Sequence, residues 1–167
     1  VLLDEPVLPG ESIQVKLNFT SKLPALKTRT GFAGDYFFVA QWFPKLGVFE
    51  YPGMNADAEI GWNCHQFHRN SEFYANHSLY EVDLTLPEEY VLGSGGVVMN
   101  EESLGNGMKK LSLRAEDIVD FAWTASKDYV LVEDQWKHVK IQALFQPDHV
   151  YQAERHIHAL KEALAYF

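Results

Sequence analysis

The chain has 167 residues, 47% of them hydrophobic and 22% charged, which suits one ordinary packed domain, or one plus part of another, and excludes a disordered chain. The formal net charge of −9 repels phosphate backbones and anionic bilayer surfaces, and no basic patch with interleaved aromatics offsets it, so nucleic acid and charged membrane surfaces are excluded as partners. With Cys64 as the single cysteine there is no internal disulfide, and no apolar run approaches the ~18 residues of a membrane-spanning helix, so no membrane segment is expected.

In chain order, Pro9-Gly10 marks a turn, and Ile13, Val15, Leu17 and Phe19 then alternate with Gln14, Lys16 and Asn18, the period-two signature of a half-buried strand. Residues 32–42 are almost continuously apolar and aromatic and predict a strand buried on both faces. Pro44 and Gly47 break that run, and the glycines and asparagines of 52–63 predict a loop. From Leu79 to Leu86 the alternation returns, with Tyr80, Val82, Leu84 and Leu86 on one face and Glu81, Asp83 and Thr85 on the other, closed by Pro87. Gly93-Ser94-Gly95-Gly96 is expected to join two short strands as a hairpin. Gly105-Asn106-Gly107 predicts a second hairpin, between Val97–Met99 and Lys109–Arg114. Further strands are expected at Val119–Ala125, Tyr129–Glu133 and His138–Phe145.

Many short strands separated by turn signals predict a mainly β fold, a two-sheet β-sandwich with a closed barrel as the alternative. After Pro147-Asp148 the pattern changes. Ala153, Ile157, Leu160, Leu164 and Phe167 recur at steps of four and three, an amphipathic helix for which Asp148 is the expected N-cap. The expected organisation is therefore a β-sandwich over 1–147 and the start of a helix over 148–167. That helix has no stop signal, so more protein is expected to follow it.

Four stretches resemble the N-terminal domain of the gluzincin zinc aminopeptidases, the family of aminopeptidase N and leukotriene hydrolase. They are Leu8-Pro9-Gly10-Glu11 leading into Ile13–Phe19; Gln41-Trp42-Phe43-Pro44; the segment from Gly61-Trp62-Asn63-Cys64-His65-Gln66-Phe67-His68 to Ser78–Pro87, followed by a hairpin and Phe121-Ala122-Trp123-Thr124-Ala125-Ser126; and the terminal helix. Lys45-Leu46-Gly47-Val48 stands where the family has an acidic cluster, which points to a divergent, bacterial-like branch.

The resemblance implies a saddle-like two-sheet domain flanking a catalytic domain of the same natural chain, with a peptide as the substrate of the whole protein. In the family, zinc is held by a His-Glu-x-x-His helix and a later glutamate. That motif is absent from this sequence, so the chain is expected to carry no catalytic residues, no metal ligands and no cofactor of its own, with zinc expected in the parent's catalytic domain. The resemblance also implies one substrate-binding residue. The family's N-terminal domain lends a carboxylate to the substrate's free amino group shortly before the aromatic-proline pair, and the matching distance from Phe43-Pro44 falls on Asp35. A turn aspartate after Gly34 is the plainer reading of the same residue.

The remaining constellations have ordinary readings. Cys64, His65, His68 and His77 lack the usual zinc-ligand spacing, and His156 and His158 fall on different faces of a helix. Trp42, Trp62 and Trp123 are expected in the core rather than as a ligand platform. Glu88-Glu89 and Glu101-Glu102 are expected as solvated loop charges. A reading from a different class is a free-standing β-sandwich that binds carbohydrate or another protein through exposed aromatics.

Overall fold

The computed structural model describes residues 3, 5–25, 29–56, 58–64 and 68–167. The described chain is mainly β, with several sheets and one C-terminal helix in a β-sandwich-like arrangement. The strands are β1 (Gly31–Ala33), β2 (Tyr36–Val39), β3 (Val48–Glu50), β4 (Gly61–Asn63), β5 (Ser78–Pro87), β6 (Val91–Ser94), β7 (Val97–Ser103), β8 (Met108–Ile118), β9 (Trp123–Ser126), β10 (Val130–Trp136) and β11 (Val139–Phe145). A 3-10 turn over Pro147–Gln152 leads into α1 (Ala153–Tyr166). No described helix is long and apolar enough to cross a membrane.

Two sheets carry the core. One has the order β1-β2-β9-β6 and the other β5-β8-β7; β3-β4 and β10-β11 form separate two-stranded ribbons. β8 shows why: Leu111, Leu113 and Ala115 are buried at every second position and meet Phe121, which is fully buried. Tyr80, Val82, Leu84 and Leu86 of β5 pack beside them, as the alternation requires, with Leu92 and Trp123 from the other sheet. On the opposite face Asp83 pairs with Lys110 at 2.7 Å and accepts the Ser112 hydroxyl at 2.7 Å.

The segment 41–45 is clamped onto 119–121. Asp120 lies between Lys45 Nζ, 2.7 Å from one carboxylate oxygen, and the Gln41 backbone N–H, which donates to the other at 3.1 Å. Gln41 holds a left-handed φ of 52°, a conformation that a non-glycine residue adopts only when its surroundings fix it. The Trp42 indole donates to the Phe121 carbonyl at 2.9 Å and the Tyr80 hydroxyl to the Val119 carbonyl at 3.2 Å. Lys45 also lies over the Phe73 ring, 4.0 Å from its centroid.

Several sequence expectations are corrected. Residues 11–19 form no strand among the described residues, and Ile13, Val15, Leu17 and Phe19 are between 47% and 58% exposed because no sheet edge pairs with them. The run 32–42 is not one doubly buried strand. Gly34, with a left-handed φ of 58°, turns it back with Asp35 as the β1-β2 hairpin, pairing Phe32 with Phe37. The expected loop over 52–63 ends in β4, which pairs Trp62 with Phe49.

Gly93-Ser94-Gly95-Gly96 is a crossing between sheets, not a hairpin: β6 pairs with β9 and β7 with β8. Glycine is required at Gly96, where a Cβ would come 2.8 Å from the Phe121 ring and 3.0 Å from the Arg114 carbonyl oxygen. Residues 119–122 are a connection rather than the start of a strand, and Glu101-Glu102 lie within β7 rather than in a loop. The hairpin at Gly105-Asn106-Gly107 forms as expected.

Asp148 is not the helix cap, because the 3-10 turn intervenes and Gln152 precedes α1. The first half of α1 packs on the β10-β11 ribbon, with Ala153 and Ile157 buried. Leu160 is left exposed. Lys161 ties the helix to Asp134 of β10 at 2.6 Å.

Two expectations follow. In urea unfolding, Phe121→Ala costs about 3–5 kcal/mol through the cavity it leaves, and Lys45→Met costs about 3 kcal/mol by stranding the Asp120 carboxylate. The double variant Lys45→Met/Asp120→Asn is less destabilised than the sum of its single changes.

The second concerns pH. The Lys161 ammonium, with help from the Gln135 N–H, holds the Asp134 carboxyl below its ordinary value. A depressed folded-state pKa contributes stability above the unfolded value, about 3.9, that is lost as pH falls through the folded one. The difference in thermal midpoint between the wild type and Asp134→Asn is therefore present at pH 6 and shrinks below about pH 4.

Candidate functional site

The hairpin that overturns the long-strand expectation also builds a site. Asp35 sits at the β1-β2 tip, on the rim of a cleft of about 600 Å³ between that hairpin, the end of β9, and the junction of β11 with the 3-10 turn and α1. Its walls include Tyr36, Asp128, Tyr129, His149 and His156. Tyr36 and Tyr129 meet edge to face at 6.1 Å, and the Tyr129 and Thr124 hydroxyls are hydrogen-bonded, which fixes the phenol wall. Burial is the main influence pushing the Tyr129 phenol up, so it remains protonated at neutral pH. His156 lies against Phe145 at 5.7 Å. The cleft thus has aromatic sides, two carboxylates and, among the described residues, no lysine or arginine in its lining.

Asp35 is held but not covered. The Tyr90 hydroxyl donates to its Oδ1 at 3.2 Å, and Lys127 Nζ approaches its Oδ2 at 3.6 Å. Lys127 lies closer to Glu89, at 2.8 Å, and its ammonium is 5.5 Å from the centre of the Tyr90 ring. The Glu89 hydrogen bond is the largest influence holding Lys127 above its ordinary value, so it stays charged. The Asp35 side chain remains 58% exposed. The carboxylate is therefore oriented by a phenol, shares an ammonium that prefers another partner, and keeps acceptor capacity directed to solvent.

The other sequence candidates fall elsewhere. His65, Gln66 and Phe67 lie outside the described residues. Among the described residues, no three histidine, cysteine or carboxylate side chains converge as a metal-binding group, so Cys64, His68 and His77 form no such cluster there. Trp42 and Trp123 are half-buried and pack on the core or its border, as expected. Trp62 does not: it is 62% exposed and stacks edge to face on Phe49 at 5.3 Å, with exposed Tyr51 just beyond β3. It leaves the core because β3-β4 is a ribbon of two three-residue strands, on one face of which Phe49 and Trp62 stay exposed among the described residues.

Asp128, Tyr129, His149 and His156 were not singled out from the sequence as site residues. They come from the β9-β10 turn, the 3-10 turn and α1, and only the tertiary fold gathers them. No family model matches the chain, no curated protein matches it, and no solved structure matches its fold.

Proposed function

We propose that the chain is the non-catalytic N-terminal domain of a zinc aminopeptidase-like metallopeptidase, flanking the active-site cleft and helping to recognise the free N-terminus of a peptide. The observation that supports this reading best is Asp35: a half-exposed carboxylate at a hairpin tip, oriented by Tyr90 and opening on the large cleft. A peptide α-ammonium there would replace water with a charge-assisted hydrogen bond to Asp35, while Tyr36, Tyr129 and Phe145 offer apolar wall to the first side chain.

The residues of this chain do positioning work only in this reading. An ammonium fixed at one carboxylate sets which peptide bond faces the reacting centre, and positioning of that kind lowers a barrier without chemistry by the carboxylate itself. Zinc and the water it activates belong, in this proposal, to the catalytic domain of the same natural chain, and no step is assigned to a metal here.

Titration of the chain with a short peptide amide, followed by amide chemical shifts, tests the proposal. Saturable shifts centred on Asp35, Tyr36 and Asp128 are expected for a free N-terminus and not for its acetylated counterpart. Asp35→Asn weakens binding about tenfold, the loss of one charge-assisted contact. Lys127→Met strengthens it severalfold, because the competing ammonium is gone. Equal binding of free and acetylated peptides would sink the reading. No amino acid is released from the peptide amide by the chain, with or without zinc.

One observation favours a second reading, a free-standing module that binds carbohydrate or protein. Phe49, Tyr51 and Trp62 form an exposed aromatic patch on the β3-β4 ribbon. Under that reading a soluble oligosaccharide shifts the tryptophan emission of the wild type and leaves that of Trp62→Ala unchanged; no shift in the wild type removes it for carbohydrate.

A further inference from the structure

The cleft that Asp35 borders holds a second carboxylate, which recognition of a peptide N-terminus leaves unused. Asp128 lines the cleft two residues beyond the end of β9. Its backbone N–H donates to the Ser126 hydroxyl at 3.2 Å, and the same hydroxyl accepts from the Gln146 side-chain amide at 3.4 Å. Ser126 is 1% exposed and lies opposite Tyr36 in the β2-β9 pairing. The turn that carries Asp128 is therefore fastened to the same strands that carry the aromatic wall.

The Asp128 side chain is exposed, and among the described residues no ammonium, guanidinium or hydrogen-bond donor engages its carboxylate. Asp35 differs, since it takes the Tyr90 hydroxyl and a share of Lys127. The same lining supplies apolar surface from Tyr36, Tyr129 and Phe145, with the two phenol rings locked edge to face at 6.1 Å. One cleft thus combines an oriented carboxylate, an apolar wall and a second carboxylate whose charge is left for a ligand.

We infer, resting on the reading of Asp35 as the anchor of a free N-terminus, that the cleft selects peptides whose first side chain is long and cationic, arginine or lysine. The α-ammonium binds Asp35, the aliphatic stem lies along the tyrosine wall, and the cationic end reaches Asp128. Such side chains pair an apolar stem with a charged head, the same pairing that the lining offers in complement.

The alternatives fit less well. A purely apolar first side chain covers the wall but sets apolar surface beside a carboxylate it cannot pair, which costs desolvation without return. An acidic one adds a third negative charge to a cleft that already holds two. A guanidinium or ammonium gains a charge-assisted hydrogen bond to Asp128 and an aromatic face beside it. His149 and His156 are the described groups of the lining whose protonation would oppose a bound cation.

Titration of the 167-residue chain with four tripeptide amides tests this, at about pH 7, where an α-amino group is mostly charged and free imidazole mostly neutral. Two begin with arginine and two with citrulline, which keeps the shape and lacks the charge; each is used free and acetylated. The free arginine peptide is expected to bind about tenfold tighter than the free citrulline peptide. Asp128→Asn brings that ratio to about one and leaves citrulline-peptide affinity within about twofold of wild type, whereas Asp35→Asn weakens both free peptides and keeps the ratio. Equal affinity of the arginine and citrulline peptides, or a ratio that survives Asp128→Asn, overturns the inference. The two readings fail separately. Equal binding of free and acetylated forms with the arginine-to-citrulline ratio intact removes Asp35 as the anchor and upholds the Asp128 contact. A preference for free over acetylated forms with no such ratio does the reverse, and no binding by any of the four overturns both.

Discussion

The contact on which the two sheets depend is the closure of residues 119–121 over β8, made by the Phe121 ring and sealed by Lys45 and Asp120. A fully buried phenylalanine supplies the apolar term, but a loop carrying it must also find partners for its own polar groups. The Gln41 N–H, the Trp42 indole and the Tyr80 hydroxyl meet the Asp120 carboxylate and the Phe121 and Val119 carbonyls one by one. Lys45 is the piece that makes this economical. Its ammonium neutralises Asp120 while its position over Phe73 lets an aromatic face take part of the charge. Placement of β9 follows directly from this closure, and with β9 come β2 and the hairpin that carries Asp35.

That dependence explains which parts of the fold were legible in the sequence. β5 and β11 follow from alternation, because each has one face on a core or a helix and the other toward water. The Gly105-Asn106-Gly107 hairpin follows from local turn chemistry. Residues 32–42 misled because apolar density does not distinguish a strand covered on both faces from two aromatic strands of a hairpin; Gly34 was the available clue. Gly93–Gly96 misled for the opposite reason. Glycine there answers a close approach of the chain to Phe121 and Arg114 in three dimensions, not a tight turn.

The site was legible only at one residue. Asp35 alone stands out in the sequence, through a family resemblance, and it lies on the rim of the cleft of about 600 Å³. Asp128, Tyr129, His149 and His156 are separated from it by roughly ninety to one hundred and twenty positions in the chain, and nothing local marks them. Lys127 illustrates the difficulty. In the sequence it is an unremarkable charge after β9, while in the fold it is shared unequally by Glu89 and Asp35 and so sets how much of the Asp35 charge a ligand can feel.

The N-terminal arm is where pattern and structure part most sharply, and the reason is energetic. Alternation states only that one face wants burial; it does not supply a surface. Exposing four large apolar side chains in a row leaves several kcal/mol of transfer free energy unrealised, at about 1.5–3 kcal/mol for each fully buried one. An extended segment also leaves its backbone groups to water alone. A strand that pairs at a sheet edge acquires hydrogen bonds and a covered face together, and residues 11–19 have no such pairing among the described residues. Alternation at 13–19 therefore states a preference that the described structure does not meet: these residues form no strand, and their apolar side chains stay exposed.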